Sequence, residues 1–367
     1  MKSNYDVLGK YIVPCDELNS AGELTLLQGI SNEKYFQGCK SNTNDIDLTR
    51  YRICRKGWFC YNRATTRNGE KISIAYREEK DCLVSPSYKC FKIVDENKLD
   101  PIYLLLWFKR PEFDRYARFM SHGSAHEYFE YEQMCDVVLP VPSIEEQRKI
   151  VANYRSLEHR ISLLSQINDN LEATAQAIYK ETVLRADSEK QDSIYSILSV
   201  INGSPFSSEM FNSEKRGYPL VRIRDLSKCD PDIYTDEMIN KMEYVNVGDI
   251  LIGMDGEFIP HIWYGHKGVL NQRVCKVIPT RDTVHPLFLY LTLKPILAEV
   301  QRTQGGTTVI HIGKKDFDRM VCVSLTEEEH VAFSRKVLPL YNRMLENYQE
   351  MLLLSQMQTD ILSLLSH

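Results

Sequence analysis

Residues 140–184 read PVPSIEEQRKIVANYRSLEHRISLLSQINDNLEATAQAIYKETVL, and this stretch decides how the chain is organised. Ser143 stands three residues before Glu146, the spacing of a capping box, in which each side chain satisfies a backbone amide of the first helical turn. Pro140 and Pro142 keep the chain extended up to that cap. The sequence therefore predicts a helix with a sharply defined start.

Apolar residues recur along this helix at alternating steps of four and three, which is the pattern of a coiled-coil seam. Asn168 interrupts the seam with a polar side chain that can fix the register of pairing at some cost in stability. About 40 residues at roughly 1.5 Å each predict a rod of about 60 Å. The seam consists of Ile150, Tyr154, Leu157, Ile161, Leu164, Leu171, Ala175 and Ile178.

Length and composition indicate a folded protein of about two domains, since 367 residues exceed what one ordinary core organises. The net charge of −5 argues mildly against nucleic acid, although local charge matters more. The N-terminal residues lack the apolar core of a signal peptide, and the longest apolar run, residues 102–108, is too short to span a bilayer. We expect a cytoplasmic protein without a membrane partner.

The ten cysteines are scattered through the sequence, with no C-x-x-C pair and no histidine at zinc-ligand spacing. We therefore predict neither a disulfide framework nor a metal site, and interpret these residues as buried thiols in a reducing compartment.

An internal repeat appears at a spacing of about 180 residues. Pro101 opens the apolar helix IYLLLWFKRPEFDRYARFM, and Pro286 opens LFLYLTLKPILAEVQRTQ, each at a first turn where the missing N–H costs nothing. A strand-like run precedes each helix, and a loop of small residues and a short strand follow it. In order, these segments are 88–94, 122–126 and 137–141 in the first copy, and 272–278, 305–308 and 320–324 in the second.

A second capped helix closes the chain, because Thr326 and Glu329 again have capping-box spacing. Antiparallel pairing of the two long helices would bury both apolar seams; the alternative is that each packs only on its own globule. The second stripe consists of Val331, Leu338, Tyr341, Leu345, Tyr348, Leu352 and Leu362.

The motif LPVPSIEEQ at residues 139–147, followed by a long seam helix, resembles the specificity subunits of type I restriction–modification systems, and the order of globules and helices matches that family across nearly the whole chain. The second helix departs from the pattern, since SLTEEE at residues 324–329 lacks the prolines and the glutamine. Further similar segments are LQGISN at 27–32, VSPSY at 84–88, GDIL at 248–251 and NQRV at 271–274.

The resemblance implies an α+β protein with a pseudo-twofold internal repeat. Two target recognition domains, residues 1–141 and 187–324, would be joined by spacer helices in residues 142–186 and 325–367 that pair as an antiparallel coiled coil. The seam residues expected to carry the pairing are Ile150, Leu157, Ile161, Leu164, Asn168, Leu171, Leu338, Leu345 and Leu352.

The resemblance also implies a non-catalytic subunit that reads a bipartite, asymmetric site in double-stranded DNA. Two DNA methyltransferase subunits would dock on the helical spacer, and restriction subunits would complete the complex. S-adenosylmethionine would bind the methyltransferase, and ATP and Mg²⁺ the restriction subunit, so that this chain binds no cofactor. Two readers on one rigid spacer would enforce a fixed gap between half-sites.

A basic stretch in the first globule favours DNA contact, because residues 50–77 hold eight lysines and arginines against a single acid, Glu70. The alternative is a solvated strand face on which arginines snorkel. The loop at residues 61–69 combines base-reading donors with turn-forming residues. Candidate DNA contacts are Tyr61, Asn62, Arg63, Thr65, Thr66, Arg67, Asn68 and Lys71, together with His122, Gly123 and Ser124.

The second globule gives weaker evidence for DNA contact, and the alternative is that its loops are ordinary tight turns. A carboxylate can accept from cytosine, glutamine and arginine suit adenine and guanine, and glycine amides suit phosphates. Candidate residues are Met254, Asp255, Gly256, Gln272, Arg273, Gly305, Gly306, Thr307 and Thr308.

Catalytic motifs are missing from the sequence: residues 306–315 do not have P-loop spacing, and neither G-x-S-x-G nor H-E-x-x-H occurs. We interpret His261, His266, His285 and His311 as surface or hydrogen-bonded residues. Besides a DNA-reading subunit, one other hypothesis stands: a two-headed protein-interaction scaffold with a coiled-coil spacer and no DNA readout.

Overall fold

The computed structural model describes residues 5–39, 46–64, 71–121, 127–186, 190–303 and 311–365. The chain divides into two compact units, one formed by residues 1–159 with 356–367 and the other by residues 160–355. The helices are α1 Pro101–Phe108, α2 Pro111–Met120, α3 Tyr131–Cys135, α4 Ile144–Arg185, α5 Pro286–Thr303, α6 Lys314–Phe317 and α7 Glu327–Leu364. None of the helices described is both long and apolar enough to cross a membrane.

The first unit is built on a four-stranded antiparallel sheet in the order β2-β9-β6-β7, with three two-stranded sheets, β1-β10, β3-β4 and β5-β8. One face of the main sheet is aromatic: Phe59 stacks on its cross-strand partner Phe91 at 5.0 Å, and Phe108 of α1 packs edge-on against them. The strands are β1 Tyr5–Val7, β2 Ile12–Cys15, β3 Gln28–Ile30, β4 Phe36–Gly38, β5 Arg52–Cys54, β6 Trp58–Asn62, β7 Ile74–Tyr76, β8 Cys82–Val84, β9 Tyr88–Ile93 and β10 Val138–Pro140.

The second unit repeats this plan. Its main sheet has the order β12-β20-β17-β18, which matches β2-β9-β6-β7 strand for strand, and β11-β21 matches β1-β10; a mixed sheet, β13-β15-β14-β19-β16, is added. The predicted α+β class and internal repeat are confirmed. The strands are β11 Gln191–Ser193, β12 Leu198–Asn202, β13 Phe211–Asn212, β14 Tyr218–Val221, β15 Tyr234–Thr235, β16 Tyr244–Val245, β17 Ile250–Gly253, β18 Pro260–Ile262, β19 Gly268–Leu270, β20 Val274–Pro279 and β21 Val321–Val323.

The helix after the strands differs between the copies. In the second copy α5 runs unbroken through Pro295. The single helix predicted in the first copy is instead two, because Pro111 starts α2 at its first position and Arg110 is extended before it. At the start of α1 the Asp100 carboxylate accepts from two backbone amides, and at the start of α5 the Nδ1 atom of His285 accepts from the amide of Leu287.

The long helices pair in antiparallel fashion within the second unit. Asn347 donates to the Oδ1 atom of Asn168 at 2.7 Å, and nearer the start of α4 Arg160 is bound to Glu350, later in α7, at 2.8 Å. Leu164 is fully buried at this seam. In the first unit Val151 of α4 and the residues around Leu365 share one core cluster.

The stripe predicted for α7 was wrong at two positions, since Val331 is 41% exposed and Leu338 is exposed as well. Leu338 is 49% exposed, and its neighbour Val337 is buried in its place, so the true stripe of α7 passes through Phe333, Val337, Tyr341 and Met344. Of the other predicted positions, Leu164 and Asn168 are buried. The remaining six are half-buried: Ile150, Leu157, Ile161, Leu171, Leu345 and Leu352. The predicted cap of α7 is complete, since Thr326 and Glu329 bond each other's backbone amides.

Candidate nucleic-acid interface

The second unit brings two predicted loop segments together at one edge of its main sheet. Strand β17 ends at Gly253 and β20 begins at Val274, and these two residues are direct partners across the sheet. The chain continues beyond this edge as Met254–Gly256 on one side and Gln272–Arg273 on the other. The amide of Met254 donates to the carbonyl of Arg273 at 2.9 Å, which ties the two segments to each other.

Asp255 is the centre of this cluster. Its Oδ2 atom lies 3.3 Å from Nη1 of Arg273, and its Oδ1 atom lies 2.7 Å from Nδ1 of His311. An isolated antiparallel bridge joins the backbones of Asp255 and His311. The Asp255 side chain is 22% exposed, whereas that of Arg273 is 59% exposed and that of His311 is 50% exposed. The carboxylate therefore holds two donor-rich side chains at the surface.

The turn that carries Arg273 is fixed from both sides. The Oδ1 atom of Asn271 accepts from the amide of Arg273 at 3.2 Å. On its other side lies Gly203, where a Cβ atom would sit 2.2 Å from the carbonyl oxygen of Asn271, so only glycine allows this approach. Gln272 is exposed between them, and Gly256 has a φ of +82° with open space around it. The turn presents its side chains outward on a rigid backbone.

The first unit has the same construction at the equivalent edge. Strand β6 ends at Asn62, and beyond it Ala64 forms an antiparallel bridge with Tyr128, as Asp255 does with His311. The Nη1 atom of Arg63 lies 2.8 Å from Oε1 of Glu130, and its guanidinium stacks 4.2 Å from the centre of the Tyr128 ring. Each unit thus presents, at the matching edge of its sheet, an arginine held by a carboxylate.

Tyr61 does not belong to this surface. Its side chain is fully buried against Phe91 and Phe129, burial raises its pKa, and its hydroxyl has no hydrogen-bond partner. Along β6 alternate side chains face opposite sides of the sheet, so Phe59 and Tyr61 enter the core under the helices. The prediction that Tyr61 contacts DNA is therefore corrected.

The basic stretch is not a bare positive surface. Carboxylates from elsewhere in the chain pair with its cations, and Arg77 is buried to 2% exposure, where it donates to Gln28 and to a backbone carbonyl. Counting acids only between residues 50 and 77 missed these partners. The pairs are Arg50–Asp47, Arg52–Asp16, Arg55–Glu17, Arg55–Asp81, Arg63–Glu130 and Lys71–Glu33.

Of the remaining predicted contacts, Asn62 is half-buried, and its Oδ1 atom accepts from the amide of Ala64. Lys71 is about half exposed beside Glu33. Eleven predicted positions lie outside the described residues: Thr65, Thr66, Arg67, Asn68, His122, Gly123, Ser124, Gly305, Gly306, Thr307 and Thr308.

Sequence reasoning missed three residues of these clusters: His311, Tyr128 and Glu130. His311 was interpreted as an ordinary surface or hydrogen-bonded histidine. Its one sequence signal was its place three residues after the glycine- and threonine-rich segment 305–308, much as Tyr128 and Glu130 follow the segment 122–126. Chain order alone did not reveal that these positions bridge back to the ends of β17 and β6.

Two segments of this chain, residues 30–173 and 190–320, match the model of the family described as "Type I restriction modification DNA specificity domain". The EcoBI type I restriction enzyme specificity subunit of Escherichia coli is 35% identical over 129 residues, which are 35% of this chain and 27% of that protein. The MjaIX specificity subunit of Methanocaldococcus jannaschii is 22% identical over 291 residues, covering 71% of this chain and 67% of that protein.

Among solved structures, a type I restriction–modification S subunit from M. genitalium superimposes with a TM-score of 0.54. The match covers 99% of this chain and 95% of that one at 12% sequence identity, so the likeness concerns the fold alone.

Proposed function

The chain belongs to the family of type I restriction–modification DNA specificity domains, and from this premise we propose that it reads a bipartite, asymmetric site in double-stranded DNA. Each unit reads one half-site. The chain is non-catalytic and binds no cofactor: methyl transfer belongs to partner methyltransferase subunits that hold S-adenosylmethionine, and cleavage to restriction subunits that use ATP and Mg²⁺.

The observation that carries this proposal is the pair of matching sheet edges with different side chains. The edge in the first unit offers Asn62, Arg63 and Tyr128, and the edge in the second offers Gln272, Arg273 and His311. An arginine can read guanine and a glutamine or asparagine can read adenine, each with two hydrogen bonds. The same scaffold with different readers suits two different half-sites.

Within these clusters the carboxylates have a positioning role. Asp255 holds Arg273 and His311, and Glu130 holds Arg63. An arginine fixed by a carboxylate loses less side-chain entropy when it meets a base than a freely rotating one does. Each arginine can also exchange its carboxylate partner for a DNA phosphate at little cost, because an ion pair near the surface contributes only about 0–1 kcal/mol to stability.

Docking of two methyltransferase subunits on α4 and α7 is a further part of this proposal. Apolar side chains stand exposed on both helices outside the seam, among them Leu163 and Ile167 of α4 and Leu353 of α7. Leu338, which the seam leaves outside, belongs to this set. Exposed apolar residues on otherwise polar helices favour contact with protein partners.

The test maps methylated adenines by single-molecule sequencing in cells otherwise free of adenine methylation, with the chain co-expressed with its methyltransferase subunit. We expect one two-part motif with a fixed gap. Arg273→Ala should relax or abolish recognition of one half, and Arg63→Ala that of the other. Arg281→Ala is the matched control, because Arg281 is an exposed arginine paired with Glu327 beyond the opposite end of β20.

Equal effects on both half-sites, or none from either substitution, would contradict the assignment. Salt dependence distinguishes the DNA-reading subunit from the scaffold alternative. If the chain reads DNA, the affinity of the assembled complex for DNA should fall steeply as ionic strength rises, because DNA releases counterions when its phosphates are neutralised. An intact complex that neither methylates nor binds DNA at any salt concentration would favour the scaffold.

A further inference from the structure

Four cysteines that are scattered in the sequence meet in one buried cluster of the first unit. Cys54 and Cys82 are direct partners between β5 and β8, and Cys60 and Cys90 are direct partners between β6 and β9. None of the four is more than 2% exposed, and they share one core cluster. Strand pairing, which the linear spacing does not reveal, creates this convergence.

Three of the four sulfur atoms are close enough together to share one metal ion. The Sγ atoms of Cys54, Cys60 and Cys90 all lie within 4.8 Å of one another, and the thiol of Cys82 contacts that of Cys54. Four sulfurs at about 2.3 Å from a tetrahedral zinc ion are roughly 3.8 Å apart. The three mutually adjacent sulfurs therefore need to close by at most about 1 Å per pair.

Positive charge is already placed to offset thiolates. Two arginines lie beside the cluster: the positive charge of Arg52 interacts with Cys90, and that of Arg77 interacts with Cys82. The Nε atom of Arg52 and the Nη2 atom of Arg77 are buried without a hydrogen-bond partner. A tetrathiolate around a divalent ion carries a net charge of about −2. The two guanidinium groups would offset part of it, since Arg52 also pairs with Asp16 and Arg77 lies 3.7 Å from Glu79.

The second unit shows that the sheet itself does not require cysteines here. Its equivalent cross-strand pair is Leu251 and Lys276, in the same register between β17 and β20. That copy forms an apolar cluster around Leu251 and the buried Trp263. The cysteines of the first unit are thus an addition to the common scaffold.

We propose that Cys54, Cys60, Cys82 and Cys90 bind one thiophilic divalent cation of the zinc class as a closed structural site. Four protein ligands leave no open coordination position, so the ion has no catalytic role. Binding displaces the thiol protons to solvent and joins the small sheet β5-β8 to the main sheet. The site would stabilise the first unit, whose edge carries Arg63.

The test uses the full chain, purified under reducing conditions without chelator. Elemental analysis should find about one zinc ion per chain, and exchange for Co²⁺ should give thiolate-to-cobalt charge transfer and the visible bands of tetrahedral cobalt. Cys60→Ser and Cys90→Ser should each abolish stoichiometric metal and this spectrum. Cys275→Ser is the matched control, because Cys275 is equally buried in the second unit and, among the described residues, does not belong to the group of cysteines whose sulfur atoms lie within 4.8 Å of one another.

Three results would overturn the proposal: wild-type chain with reduced thiols and neither zinc nor a cobalt spectrum, equal metal loss in Cys275→Ser, or disulfides joining Cys54 to Cys82 and Cys60 to Cys90 by mass spectrometry. If the serine variants do not fold, the metal content and cobalt spectrum of the wild-type chain still decide the outcome. Removal of zinc by a chelator should then lower the thermal unfolding midpoint by the same amount in the wild-type chain and in Cys275→Ser.

Discussion

The buried asparagine pair of the long helices allows a sharp test of how their register is set. Asn168 and Asn347 are 2% and 1% exposed, and two hydrogen bonds involve their side chains. Asn347 donates to Asn168 at 2.7 Å, Asn168 donates to the carbonyl of Met344 at 3.2 Å, and Oδ1 of Asn347 already lacks a partner. The perturbation is replacement of each asparagine by leucine, singly and together.

Each single substitution should destabilise the helix pair, whereas the double substitution should change its stability little. Asn168→Leu removes two hydrogen bonds of about 1 kcal/mol each and strands a buried amide, which costs a further 1–3 kcal/mol or so. Part of that loss is offset by leucine burial, so we expect about 2–4 kcal/mol of destabilisation. In the double variant no polar group is stranded, and stability should lie within about 1 kcal/mol of wild type.

Hydrogen exchange followed by mass spectrometry is the suitable assay, since the two compact units need not unfold together and exchange reports the peptides of α4 and α7 separately. The double-mutant cycle should give a favourable coupling energy of at least about 2 kcal/mol. Additivity of the two single substitutions within about 0.5 kcal/mol would refute the reasoning. Loss of a unique register in the double variant, visible as heterogeneous exchange, would support the role of the pair in specifying alignment.

The other predictions concern His285, the adjacent residues Leu163 and Leu164, and Gly203. Burial lowers the pKa of His285 to about 4, so between about pH 6.5 and 4 the unfolded chain binds a proton at this residue and the folded chain does not. The free energy of unfolding should therefore fall by up to about 3 kcal/mol as the pH drops through that window. His285→Asn, which keeps a cap on α5, should flatten the profile of unfolding midpoint against pH. Leu164→Asp should disrupt the helix pair by more than about 3 kcal/mol. Leu163→Asp, one residue away but 39% exposed, should leave folding intact and weaken only methyltransferase docking in light scattering. Gly203→Ala should shift the turn at Asn271 and reduce recognition of the half-site read by the second unit, measured by the same methylation map.

The features that local pattern governs were predictable. Capping-box spacing located the start of α7 at Thr326, and the seam period identified the buried Leu164 and Asn168. The error at Leu338 arose because two adjacent apolar residues, Val337 and Leu338, leave the phase of the stripe ambiguous in sequence. Only packing against α4 decides which of them is buried.

Non-local strand pairing governs the features that were missed. The side-chain phase of a five-residue strand is set by its neighbours, so the burial of Tyr61 depends on which face of β6 meets the helices. Likewise, the four thiols are joined by two separate strand pairings whose register no sequence spacing reveals. The acids that pair with the basic stretch lie outside residues 50–77, where a local charge count does not include them. They are Asp16, Glu17, Glu33, Asp47, Asp81 and Glu130.

The side chains proposed to contact bases differ between the two units, whereas the backbone that carries them has the same construction in both. The bridges Ala64–Tyr128 and Asp255–His311 occupy matching places, so the backbone at each edge is fixed by the common scaffold. Only the side chains beyond the strand ends are then free to vary without a change in the core. The arginine of the first unit stacks on a tyrosine ring and pairs with a glutamate, whereas that of the second unit pairs with an aspartate that also holds a histidine. The two edges therefore offer different donors. Exchange of the segments at 254–256 and 271–273 for other loops should therefore alter one half of the recognised site and leave the other half, and the stability of both sheets, unchanged.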